Sequence, residues 1–171
     1  MNRKRWVASI VGLILFASTS TALAIGDDNY SRPSLKGLTK LVVAVQIGNP
    51  VSNDFKRAGL TEERIRTGIE LKLREAKIDV VYIENLPSDI PIFHVEVNGS
   101  KRDSKTFSFL IEVELWQKSL LKRDPKIETM ATTWSSGVFG LGAASSIADD
   151  IMGWINGTMD AFVKAFLSVN P

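Results

Sequence analysis

Between Thr106 and Gln117 the chain alternates with period two. Phe107, Phe109, Ile111, Val113 and Leu115 fall on one parity, and Ser108, Leu110, Glu112, Glu114 and Trp116 on the other. Successive side chains of a strand point to opposite faces, so one parity must lie on a core. The rest of the chain has to supply what covers that face.

Four further runs read as strands: Leu38 to Ile47, Ile78 to Ile83, Ile92 to Asn98, and Ile127 to Trp134 after a turn around Arg123-Asp124-Pro125. In the first, Leu41-Val42-Val43-Ala44-Val45 is apolar on both parities, as in a strand inside a sheet. Helical periodicity occurs only twice. Thr61 can cap a helix that carries Glu62 and Glu63 in its first turn, Leu60 and Ile65 have the spacing of a hydrophobic staple, and Ile65, Ile69, Leu73 and Ala76 form one stripe. The second helix starts near Ser146, with Asp149 completing a capping-box-like pair, and buries Ile147, Ile151, Trp154, Ile155, Phe162 and Phe166. Gly137, Gly140 and Gly142 read as a loose connection before it. The order is β-α-β-β-β-β-α. It predicts an α/β (α+β) domain with one mixed, mainly antiparallel five-stranded sheet and two helices on one face. Two helices leave the other face largely open.

Ahead of this domain, Arg3, Lys4 and Arg5 precede an apolar run from Val7 to Ala17 and then Ala22-Leu23-Ala24. Charged, apolar and small-residue regions in that order make a secretory signal peptide over residues 1–24, with cleavage after Ala24 and periplasmic delivery. The run is about half the roughly 20 residues of a membrane span, so no span is expected after cleavage. Residues 25–37, punctuated by Gly and Pro, read as a flexible leader to a single domain over 38–171. Removing the 24-residue signal from 171 residues leaves 147, and removing its three cations leaves 18 basic against 19 acidic residues, a net charge of −1. Without a basic cluster the mature chain lacks the footprint of a nucleic-acid binder. With no cysteine it has no disulfide framework, thiolate metal site or thiol nucleophile.

Chemistry-bearing patterns are sparse. His94 is the only histidine and shares a strand face with Glu96. A metal or acid–base site there would need Glu112, Glu114 or Glu128 alongside, which no spacing encodes, so a solvated sheet face is the expectation. The run Gly137-Val-Phe-Gly-Leu-Gly lacks the Lys of a phosphate loop, and Asp149 and Asp150 follow it. No G-x-S-x-G is present. Glu112 and Glu114 are about 7 Å apart by strand rise, a common separation on a polar face. Gly153 and Gly157 are read as packing positions within the last helix. No catalytic residue, metal ligand or cofactor is assigned.

Leu71-Lys-Leu-Arg-Glu-Ala-Lys-Ile-Asp-Val80, Ala131-Thr-Thr-Trp-Ser-Ser-Gly137 and Phe162-Val-Lys-Ala-Phe-Leu-Ser-Val-Asn-Pro171 resemble an uncharacterised family of small exported bacterial α/β proteins. Thr-Trp-Ser-x-Gly and Leu-x-Val-Asn-Pro are the most specific parts. Members have Gly where Lys77 stands, implying a less tightly turned helix exit here. In element order alone the chain is also similar to periplasmic accessory domains of the TolB N-terminal and transporter-auxiliary type.

The expected function is therefore non-enzymatic: binding or assembly in the cell envelope, through an envelope protein or self-association, with a small-molecule or lipid carrier as the alternative. The expected partner face carries Leu110, Glu112, Glu114 and Trp116, joined by Met130 and Trp134 if the last strand turns its Glu128 side outward.

Overall fold

A computed structural model describes residues 28–82 and 89–171; the expected signal peptide, the start of the leader, and Ile83 and Pro87 lie outside the described residues. The five strands are β1 (Lys40–Ile47), β2 (Asp79–Val80), β3 (Ile92–Lys101), β4 (Thr106–Leu121) and β5 (Asp124–Ala143), in the sheet order β2-β1-β3-β4-β5. β1 runs parallel to β2 and β3, while β3–β4 and β4–β5 are antiparallel. The mixed α+β sheet is as expected, and β1, apolar on both parities, lies inside it.

A short helix, α1 (Ser52–Arg57), lies outside the two stretches of helical periodicity and inserts Phe55 into the core. Helices α2 (Glu62–Glu75) and α3 (Ile147–Val169) cover one face of the sheet. Ile65, Ile69 and Leu73 of α2 and Ile147, Ile151, Ile155, Met159, Phe162 and Phe166 of α3 are buried against Phe93, Val95, Val97 and the Phe107 to Leu115 parity of β4. Each such side chain contributes about 1.5–3 kcal/mol on burial. The Thr61 hydroxyl accepts the Arg64 N–H at 3.1 Å, and Leu60 and Ile65 are both fully buried, as the staple requires.

Five expectations are corrected. The exit of α2 is tight although Lys77 carries a side chain: its φ is +63°, its N–H reaches Arg74 O at 2.9 Å, and Ile78 N–H reaches Leu73 O at 2.9 Å. This is a complete Schellman turn with a side chain in the left-handed position. Gly137 to Gly142 is not a connector but the end of β5, which pairs with β4 as far as Ala143. Glycine is needed there for space, since a Cβ on Gly140 would overlap the Phe109 ring and one on Gly142 would lie 2.7 Å from Ile147 Cδ1. The Gly153 and Gly157 positions face open space, so packing is not their use. Ser146 donates to Asp150 Oδ2 at 2.9 Å while Asp149 pairs with Arg64, so the capping box does not form.

The fifth correction concerns the leader. Its described part, from Asp28 to Gly37, folds onto the domain through a 3-10 turn, η1 (Arg32–Leu35), and buries Leu35 completely. Two clasps hold it. Gln117 Nε2 donates to Ser34 O at 3.1 Å and to Thr133 Oγ1 at 2.7 Å, and Ser34 Oγ donates to Thr133 O at 3.2 Å. At the other side Asn170 Oδ1 accepts from Gly37 N–H at 2.7 Å, and its Nδ2 donates to Leu35 O at 2.9 Å. Thr133 and Asn170 belong to the Thr-Trp-Ser-x-Gly and Leu-x-Val-Asn-Pro segments respectively.

Candidate functional site: the open face of the sheet

The helices cover only one face, so the opposite parity of the sheet is set by strand register alone. Across it run the rows Val42, Ile92, Trp116, Thr132; Ala44, His94, Glu114, Ser135; and Gln46, Glu96, Glu112, Gly137, followed by Asn98, Leu110 and Phe139. Of the expected partner-face residues, Leu110, Glu112, Glu114, Trp116 and Met130 lie here.

Trp134 does not. It is 1% exposed, packed edge-on to Phe162 with ring centroids 5.0 Å apart. The register explains the change: Trp116 pairs with Thr132 but Leu115 pairs with Trp134, leaving Thr133 as an extra residue in β5. A β-bulge of this kind shifts the phase of the strand by one residue. Glu128, Met130 and Thr132 therefore face outward before it, and Trp134, Ser136 and Val138 face the core after it. Phe139 and Leu141, 66% and 59% exposed, then join the open face at its far end. Sequence reasoning misses them because their segment reads as a loop.

At the centre the side chains form a platform. The Trp116 indole stacks on the His94 ring, with centroids 4.7 Å apart and planes 26° apart. Its Nε1 donates to Glu114 Oε2 at 2.9 Å, and Thr132 Oγ1 donates to Glu114 Oε1 at 3.2 Å. Glu114 is thus occupied in holding the indole flat. His94 Nδ1 lies 3.9 Å from Glu114 Oε2 and has no hydrogen-bond partner among the described residues. Beside this platform Glu96 and Glu112 are direct cross-strand partners. Like charges in that relation destabilise a sheet, and among the described residues neither has an ion-pair partner. Among the described residues no group of three or more His, Asp or Glu side chains is placed to hold a metal.

β4 and β5 continue beyond the end of β3, whose Ile92 is opposite Trp116. Residues 117–131 form a two-stranded arm, in which Leu120 is 59% and Ile127 43% exposed. Its turn carries Lys122 and Arg123, with Lys126 shortly after. The alternating sequence pattern reaches only Gln117 on the first strand of this arm.

A second feature lies on the helical side. An open cleft of about 800 Å³ lies by the C-terminal ends of α2 and α3, with Leu38, Ala76, Val163 and Phe166 on its walls and Lys72, Lys77, Lys164, Glu75 and Asp160 around it. Lys72 is paired with Asp160.

Among the described residues no helix is long and apolar enough to cross a membrane. No protein-family model matches the chain, and no curated protein matches it. Among solved structures it is similar to a minor lipoprotein from Acinetobacter baumannii, at 7% identity over 74% of this chain and 91% of that one, with a TM-score of 0.31. Nothing about activity follows from so remote a likeness.

Proposed function

We propose that the protein is an exported, non-enzymatic binding or assembly subunit of the bacterial cell envelope, and that it engages a protein partner through the open sheet face. The observation that carries this reading is the Trp116 platform. An indole pinned by Glu114 and backed by His94 loses little conformational freedom on binding, and anchors of this type dominate interface energetics when flanking groups exclude water. Met130 on one side and Phe139 and Leu141 on the other extend the apolar surface, with carboxylates between them. The charged and apolar segments of residues 1–24 support export.

The test places a photocrosslinking residue at Phe139 or Met130 in the full chain in cells. The expected result is a discrete crosslinked protein species that Trp116→Ala abolishes while the melting temperature stays nearly unchanged. Crosslinking that persists in Trp116→Ala, or unfolding of that variant, would overturn the reading.

The cleft between the ends of α2 and α3 favours a second reading, a carrier for a small amphiphile. Native mass spectrometry of protein recovered from the envelope separates the two, because only the carrier brings down a stoichiometric small molecule.

A further inference from the structure

β1 has the composition of an inner strand, apolar on both parities from Leu41 to Val45, yet it is flanked on both sides over only part of its length. β2 pairs with Lys40 and Leu41 alone, and the Val81 N–H to Leu41 O bond, at 3.0 Å, is the last between the two segments among the described residues. The ladder phase shows what is left over. Val42 N–H donates to Pro91 O and Gly48 N–H to Val97 O, both at 2.9 Å, so the even residues of β1 turn their backbone groups toward β3 and the odd residues turn theirs away. Ile47 N–H is taken by Glu62 Oε1 at 3.1 Å. Val43 and Val45 therefore present two N–H and two C=O groups at the edge with no partner among the described residues. Natural sheet edges are blunted by charge, proline or a bulge, and none of these stands between Val42 and Val45.

This edge opens into a cleft of about 460 Å³ lined by Val43, Val80, Val81 and Tyr82 and, from α2, by Arg66 and Glu70. Leu41, Val43 and Ile47 are buried on the helical side of β1, and Val45 on the same parity is left half-buried. A residue opposite Val43 in an added strand would point to that side, toward the wall formed by Arg66 and Glu70. Glu70 is only 6% exposed. Its Oε2 accepts from Tyr82 OH and, at 3.1 Å, from Arg74 Nη2, while its Oε1 has no hydrogen-bond partner. Arg66 Nε, one helical turn away, is likewise buried without one. An orphan acceptor one turn from an orphan donor is matched by a carboxamide, which supplies an N–H and a C=O together, whereas a cation would meet the guanidinium groups of Arg66 and Arg74. We propose that this edge is a second docking site, separate from the open face, which takes an extended strand of a partner polypeptide bearing Asn or Gln opposite Val43. Only an extended backbone offers donors and acceptors at the spacing of Val43 and Val45, as in other cases of strand addition to a sheet edge. Tyr82 bounds the site at one end and Glu62 at the other, so it holds a short segment and binds weakly. It does not depend on the binding role of the open face.

Amide NMR on the isotope-labelled exported chain tests this, with the capped peptide acetyl-Thr-Val-Gln-Val-Thr-amide as probe. In the free protein the Val43 and Val45 amides should exchange with solvent at least about tenfold faster than those of Ala44 and Gln46, which are bonded to β3. Titration to about 5 mM peptide, a range set by four ladder bonds of modest strength, should shift both amides saturably and raise their protection at least about tenfold. The same peptide with Leu in place of Gln should bind at least about threefold more weakly, because Glu70 Oε1 and Arg66 Nε then stay unpartnered. Val45→Pro removes one edge N–H and leaves the β3 ladder intact, so it should fold and lose the response at Val43. If that variant fails to fold, the peptide N-methylated at every residue removes the ladder donors from the other side and should leave the wild-type amides unmoved. Val43 and Val45 amides as protected in the free chain as those of Ala44 and Gln46 would show the edge already covered by the chain itself and overturn the proposal. So would amides that do not respond up to about 5 mM, or that respond equally to the N-methylated peptide. Equal affinity for the Gln and Leu peptides would overturn the assignment of a carboxamide opposite Val43.

Discussion

Gly140→Ala separates two readings of the Gly-rich segment by the sign of its effect. In a loose connector the substitution would restrict the unfolded chain and stabilise the protein by about 0.4–1 kcal/mol. In β5 the new methyl would lie 2.9 Å from Cε2 and 3.0 Å from Cε1 of Phe109, and closer still to its Cζ. Phe109 is 2% exposed and cannot swing into solvent. Overpacking of this kind costs about 1–3 kcal/mol, so after the unfolded-state gain the net loss should be about 1–2 kcal/mol. For a domain of this size that corresponds to a fall in Tm of roughly 3–8 °C.

The assay is urea unfolding followed by tryptophan fluorescence, which Trp134 reports from inside the core. Gly153→Ala is the internal control. Its Cβ would meet no atom within 4 Å on an exposed turn of α3, and it should stabilise by up to ~1 kcal/mol. Adding Phe109→Leu to Gly140→Ala removes the ring end that clashes, and the pair should cost less than the sum of the two single changes. A neutral or stabilising Gly140→Ala, or strict additivity with Phe109→Leu, would refute the account of glycine as space for the ring.

Lys77→Gly should stabilise by about 0.5–1 kcal/mol in the same assay, because the left-handed residue of the α2 exit would no longer carry a side chain. Trp134→Ala should cost about 3–5 kcal/mol and Met130→Ala less than about 1 kcal/mol; equal effects would mean that the bulge at Thr133 does not change the strand's phase. Asp28 accepts backbone hydrogen bonds from Ser31 and Tyr30, which hold its carboxyl below the usual value of 3.8. The lowered group favours the folded turn above the ordinary carboxylate range and loses that contribution as pH falls through its own value; an NMR titration of the Ser31 amide that follows an unshifted carboxylate would contradict this.

What could be read from the sequence depended on whether a pattern had one physical cause or several. The alternation at Phe107 to Leu115 has one, a half-buried strand, and the structure places every one of those side chains in the core. The stripe of Ile65, Ile69 and Leu73 is similarly single-valued. Glycine is not. The same residue type breaks elements and makes room for rings, and only the cross-strand pairing of Gly140 with Phe109 decides between them. The bulge at Thr133 left no mark because a Thr-rich strand is equally regular on either phase. That one inserted residue moved Trp134 from the partner face to the core and brought Phe139 and Leu141 out. Leu35 was hidden for a different reason: a lone apolar residue between Pro33 and Gly37 has no period, and its burial depends on Asn170 and Thr133, far away in the chain.

Those two residues also bear on where function should be sought. Thr133 and Asn170 are both occupied in clasping the leader, while Trp134 fills the core. Each hydrogen bond of the clasp contributes about 0.5–1.5 kcal/mol, and losing the Asn170 side chain leaves Leu35 O and Gly37 N–H without their protein partner. The requirement these residues meet is architectural. They hold the segment that follows the expected cleavage site against the domain, on the side away from the open face. The face built around Trp116 is free of that requirement, since its backing residues His94, Glu114 and Thr132 bond to the indole and to one another and not to the leader. Substitutions on the sheet's open face can therefore change what it binds while the clasp at Thr133 and Asn170 keeps the leader in place.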